Sequence, residues 1–308
     1  MKMDWTTDKK GDAVKSNDEN EEAVEKTFFQ IQKEKILQQI KNRLERDRAF
    51  LYCSVTGNEK VGKTGIVLDC RTVEEIEKGM KVLLLDLDDG AEATWDSGWD
   101  RTEDIIIFNP LELKRDGTPD WDAIFNNARG FVEFAKEMIE EGNVKAFILD
   151  GVDKAYEGSS DVLRDHLVKQ QQRTGTIIHA SDSVHVSPLD WKIRNRIYNR
   201  LLDLVGSLEC DRFMVTHMKP LYDNINVPVP IGETPDWHKS TPARFNQMIH
   251  INTVTKDGVT NHIATLKASK TNPSLVGKEW TIFTTSGHDS EEEVNAWYGV
   301  LELREGTI

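Results

Sequence analysis

The sequence predicts an α/β domain whose doubly wound, mostly parallel sheet is extended by antiparallel strands towards the C-terminus. Three observations carry that expectation. Residues 57–64 read Gly-Asn-Glu-Lys-Val-Gly-Lys-Thr, a Gly-x-x-x-x-Gly-Lys-Thr loop set between an apolar run and a helix-forming stretch. Apolar runs then alternate with amphipathic stretches as far as Thr216, the signature of strands covered by helices on both faces. From Gln247 the connections shorten and the runs read as hairpin strands.

Residues 1–24 are polar and mixed in charge and read as a loosely attached tail. Residues 25–48 form a helical arm, with Phe29, Ile36, Ile40 and Leu44 near one face. Packing on its own domain and docking on a neighbouring subunit would leave the same pattern. The main domain spans 49–285, and 286–308 close the chain with a helix bearing Val294, Trp297, Tyr298 and Leu301, followed by a tail.

Within the main domain, residues 50–55 form the strand entering the loop, and Gly65-Ile66-Val67-Leu68 belongs to the helix leaving it. Thr72-Val73-Glu74-Glu75 is a capping box. Residues 81–86, 104–108, 144–150 and 212–216 are buried strands, near-continuous in apolar character. Residues 121–141 and 189–208 are amphipathic helices, the first ended by Gly142-Asn143. Residues 247–254, 261–268 and 280–284 are the late strands, with a hairpin turn at Thr255-Lys256-Asp257-Gly258.

Bulk properties bound the function. The 308 residues, 38% hydrophobic, suffice for one large α/β domain with extensions or for two small domains. Three dispersed cysteines and eight unclustered histidines give neither a disulfide framework nor zinc spacing. A net charge of −14 excludes a DNA clamp working by bulk charge, so any DNA contact must be local. No run approaches the roughly 20 apolar residues of a membrane span, and the N-terminus lacks an apolar leader. A cytoplasmic protein is expected.

The loop names a substrate class. Its glycines let successive N–H groups face a phosphate, and the helix N-terminus behind it adds a positive dipole end. Gly57, Asn58, Glu59, Lys60, Val61, Gly62, Lys63, Thr64 and Gly65 are therefore the expected binding segment for a nucleoside triphosphate. Lys63 would reach the β- and γ-phosphates, and Thr64 would hold Mg²⁺. A second carboxylate should steady the metal from a neighbouring strand end. Both Asp86 and Asp150 end apolar strands; Asp150 is preferred, because a long helix and a strand separate it from the first strand pair, as a doubly wound fold expects. Asp88, in Asp86-Leu87-Asp88-Asp89-Gly90, is the candidate for positioning the attacking water. His217, after Thr216 at a strand end, is placed to sense the γ-phosphate. Lys267 and Lys270 are candidate cations for charge developing on that phosphate, supplied to a neighbouring subunit's cleft.

Together the loop 57–64, the strand ends 85–90 and 148–150, the segment 214–217 and Lys267-Ala268-Ser269-Lys270 ahead of Gly277 resemble the RecA-like P-loop ATPases. Within them, the chain looks like the compact phage-encoded group, labelled AAA-type but RecA-like in core, that serves single-strand annealing and recombination. The matching elements span about two thirds of the chain, and only the loop is specific alone. That family usually carries glutamate where this chain has Asp88, one methylene shorter, and often Gln or His where it has His217. The resemblance implies ATP and Mg²⁺ as ligands, homo-oligomeric rings or filaments with ATP at the subunit interface, and host cytoplasm as location. It also implies DNA-contacting loops after the strands ending at Asp150 and Thr216. Here these are segments 151–188, with Lys169-Gln170-Gln171-Gln172-Arg173-Thr174-Gly175, and 218–243, with Lys219, Lys239, nearby Arg244, and Tyr222 and Trp237 as base-stacking groups. The expected function is an ATP hydrolase acting on single-stranded DNA. The alternatives are a packaging or helicase-like motor ATPase and a non-catalytic nucleotide switch or scaffold.

Overall fold

Continuous runs such as Val82-Leu83-Leu84-Leu85 can be buried only if both faces of their strand are covered. The computed structural model shows such a sheet, and describes residues 28–44, 49–98, 103–173, 186–223, 229–270 and 272–285. Two units separate, residues 1–49 and 50–308. In the first, α1 (Phe28–Leu44) is a single helix containing Phe29, Ile36, Ile40 and Leu44.

In the second unit the chain runs through β1 (Tyr52–Gly57), α2 (Lys63–Leu68), α3 (Val73–Glu77), β2 (Lys81–Asp86), α4 (Ala91–Gly98), β3 (Ile105–Phe108), α5 (Trp121–Glu140) and β4 (Val144–Asp150). It continues through α6 (Val152–Arg173), α7 (Asp190–Gly206), β5 (Asp211–Thr216), β6 (Met218–Asp223), β7 (Val229–Pro235), β8 (Gln247–Lys256), β9 (Val259–Ser269) and β10 (Glu279–Thr285). The eight-stranded sheet has the order β3-β2-β4-β5-β1-β8-β9-β10. Strands β3 to β8 in that order pair in parallel, while β8–β9 and β9–β10 are antiparallel. This is the doubly wound core with an antiparallel C-terminal extension that the sequence predicts.

Alternation along each strand splits the core in two. Val82, Leu84, Ile148, Phe213 and Val55 pack with Ile66, Val67 and Leu68 of α2 on one face. Leu83, Leu85, Phe147, Leu149 and Met214 pack with α5, α6 and α7 on the other, through Phe131, Ala155 and Tyr198 among others. The capping box forms: Thr72 Oγ1 accepts from the Glu75 N–H, and the Glu75 carboxylate accepts from the Thr72 N–H. The β8–β9 hairpin turns on Asp257 and Gly258, both at positive φ (52° and 79°), the backbone of a tight two-residue turn.

Two expectations change. Segment 151–188 reads as a long loop, yet Val152–Arg173 is helix α6. Its 22 residues carry Lys169 to Arg173 away from the crevice end of the sheet, because α6 starts directly after the β4 end. Segment 218–243 likewise contains the antiparallel β6–β7 hairpin, whose Pro220 and Pro230 obscure a strand pattern. The expected closing helix in 286–308 and the tail 1–24 lie outside the described residues.

Candidate nucleotide site

Brought by the parallel core to one edge, the C-terminal ends of β1, β2, β4 and β5 surround a cavity of about 540 Å³. Glu59, Lys60, Gly62, Lys63, Thr64 and Gly65 line one side; Asp88, Asp150, Asp153 and His217 line the other. Open α/β sheets place ligands at this edge.

The loop's shape requires glycine at its root. A Cβ on Gly57 would sit 2.6 Å from the Ile251 carbonyl oxygen and 2.7 Å from a Val61 methyl. Only a bare backbone lets β1 turn there while β8 lies alongside. Lys60 and Gly62 follow at φ 59° and 93°, curling the loop before α2 begins at Lys63. Two side chains brace it from outside. The His262 ring, on β9, has Nδ1 2.9 Å from the Val61 carbonyl oxygen, which fixes Nδ1 as the donor. The Asn58 amide donates to the Glu233 carboxylate of β7 at 3.2 Å.

Lys63 is buried, and its ammonium donates to the Asn58 carbonyl at 2.6 Å. Burial pulls its pKa down, against the opposing pull of Asp150, Asp153, Asp88 and Glu59. Thr64 Oγ1 donates to Asp150 Oδ2 at 2.7 Å. Burial raises the Asp150 pKa to about 6, with the Thr64 hydrogen bond opposing and Asp86 and Asp88 adding to the rise. Its competitor, Asp86, is engaged locally. Its two carboxylate oxygens accept from the Asp88 and Ala91 N–H groups at 3.1 and 2.9 Å, so it caps the turn into α4.

Asp153 escapes the sequence analysis. It lies in the first turn of α6, and its carboxylate gathers three donors from the end of β5: the Thr216 hydroxyl, the His217 N–H (both 3.3 Å) and the His217 ring at 3.2 Å. Burial raises its pKa, but the His217 hydrogen bond and charge outweigh that and hold it low. The same bond raises His217. Across the ring, Nε2 is 3.7 Å from Asp88 Oδ2. Burial raises Asp88, with His217 opposing. Gly151, at φ 87°, lets these parts approach, since a Cβ there would lie 3.1 Å from the Asp88 nitrogen.

Lys267 and Lys270 are not brought to this cavity. Lys267 is exposed on β9, and Lys270 donates its N–H to Asn246, at the sheet end opposite the loop. Trp237 is a core residue, 5.5 Å from the Phe245 ring, and offers no stacking face. Tyr222, on the β6–β7 hairpin, is exposed.

The donor set fits a triphosphate with Mg²⁺. The loop, rooted at a Gly57 that has no room for a Cβ, curls around the cavity, and the buried Lys63 ammonium, whose charged form burial disfavours, gains from an anion. Mg²⁺ takes few protein oxygens and fills its shell with phosphate and water. Thr64 and Asp150 supply such a pair, while among the described residues no group of three His, Cys, Asp or Glu is arranged to hold a metal.

No family model and no curated protein matches the chain. Among solved structures it is similar to the crystal structure of the RadB recombinase, at 13% identity and a TM-score of 0.41, covering 75% of this chain and 87% of that one. No described helix is long and apolar enough to cross a membrane.

Proposed function

We propose that the protein is a Mg²⁺-dependent ATPase of RecA-like type that acts on single-stranded DNA in the recombination or strand annealing of a phage or similar element. The observation that carries the reading is the Thr64–Asp150 pair, 2.7 Å apart, beside buried Lys63 at the glycine-rooted loop. Lys63 and the loop N–H groups bind and orient the phosphates, and Thr64 and Asp150 hold the metal. Bound Mg²⁺ supplies neutralisation of the charge on the β- and γ-phosphates. Water positioning belongs to the Asp88–His217 side of the cavity.

The DNA role finds support in the hairpin β6–β7. It follows β5 after one residue, bears exposed Tyr222, and touches the loop through Glu233 and Asn58. A contact at the hairpin would thus be felt at the loop. Lys267 and Lys270 point the account towards a ring or filament, in which a neighbour's lysines would complete the charge around ATP.

Turnover of Mg·ATP measured with and without single-stranded DNA tests the reading. Stimulation that fades as salt rises is the expected result. Turnover indifferent to every nucleic acid at low salt would remove the DNA role and leave the ATPase. Tight nucleotide binding without turnover would favour the switch.

A further inference from the structure

We infer that His217, oriented by Asp153, is the general base of the site, a role that rests on the ATPase reading and goes beyond sensing the γ-phosphate. Ionised Asp153 can only accept hydrogen bonds, so the 3.2 Å contact puts the ring proton on Nδ1. In the neutral ring the lone pair is then on Nε2, the atom that faces Asp88. The backbone N–H of His217 donates to Asp153 Oδ1, which holds the carboxylate in place behind the ring. A carboxylate behind a histidine whose far nitrogen looks into a substrate cavity is the arrangement that prepares an imidazole to take a proton.

Nε2 and Asp88 Oδ2, 3.7 Å apart, can both contact a single water. Asp88 Oδ2 faces the same water and is placed to accept a hydrogen bond from it and orient it. In the step, the water oxygen bonds to the γ-phosphorus as the bond to the β,γ-bridging oxygen breaks. ADP leaves with that electron pair, and the water's proton passes to Nε2. The imidazolium so formed lies between Asp153 and Asp88. The charged groups acting on the ring are Asp153 from α6, Asp88 from the β2–α4 turn and Lys63 from α2.

A base must be neutral, so turnover falls as pH drops through the His217 pKa, which Asp153 raises above the ordinary 6.5. Two measurements on the full chain test this. The first is NMR of the imidazole nitrogens through a pH titration without nucleotide. We expect the Nδ1–H tautomer and a pKa that falls in Asp153→Asn. The second is the pH profile of kcat. His217→Gln should lower kcat by about 10²-fold or more and abolish the acid limb, with ATP binding retained. Asp153→Asn should move that limb to lower pH. An Nε2–H tautomer overturns the proposal even if a variant fails to fold. So does an acid limb that survives His217→Gln and disappears in Asp88→Asn, which would make Asp88 the base while leaving the ATPase reading intact. Wild-type protein that binds ATP but never turns it over defeats both readings.

Discussion

The two ends of the central sheet treat buried charge in opposite ways. At the end where β4 and β5 begin, Lys145 is almost fully buried, yet it pairs with both Glu75 and Asp211. Asp211 also accepts from the Leu51 N–H at 2.8 Å. At the end where the strands finish, Lys63 is equally buried but, among the described residues, its ammonium has only a carbonyl at hydrogen-bond distance, and its pKa is depressed. Asp150 is pushed up to about 6. Charges compensated within the chain hold elements together. Charges left under-compensated at a cavity gain their balance from a ligand of opposite sign.

Replacing each lysine should break this symmetry. Lys145→Ala strands two carboxylates inside the protein and should cost about 3–5 kcal/mol in denaturant unfolding. Lys63→Ala should leave stability unchanged or slightly higher, while turnover falls by about 10²-fold or more. If both variants unfolded alike and both kept turnover, the contrast between the ends would be wrong.

Asp150→Asn sharpens the comparison through pH. The carboxyl's folded pKa, about 6, lies above its ordinary 3.8. The native state therefore binds the proton more tightly than the unfolded chain does. Its ionisation costs stability progressively as pH rises from about 4 to 6, and the cost is complete above that window. Without metal or nucleotide, the Asn variant should be more stable than wild type at pH 7.5, on the order of 2–3 kcal/mol, with the difference vanishing near pH 3.5. A variant less stable at both pH values contradicts it. The smallest effect concerns the capping box above Lys145: Thr72→Ala should cost about 1 kcal/mol in the same unfolding experiment and leave ATP affinity alone.

The loop was legible because its chemistry is local: two glycines, a lysine and a threonine at fixed offsets. The central strands were legible because burial on both faces demands uninterrupted apolar runs. Between Asp86 and Asp150 strand order supplied only a preference for Asp150, since both end such runs. The contacts that separate the two are long-range or local in backbone: the N–H groups of Asp88 and Ala91 occupy the Asp86 carboxylate, and Thr64 meets that of Asp150. Asp153 was invisible for a related reason: its partner His217 is 64 residues away, joined to it only by the adjacency of β4 and β5. Helix α6 was hidden by a polar sequence with no sharp apolar face, including Lys169-Gln170-Gln171-Gln172-Arg173, and the β6–β7 hairpin by its prolines. Trp237 looked like a surface aromatic among charges, yet it fills a gap beside Phe245 that only the folded chain creates.

Calorimetric titration of Mg·ATP into wild type and Lys63→Ala bears most directly on the central claim, that under-compensated charge at the strand ends is reserved for a triphosphate. Saturable binding to wild type that weakens sharply in the variant and on omission of Mg²⁺ is the predicted result. Equal heats from both proteins, or none from wild type with any nucleoside triphosphate, would contradict it.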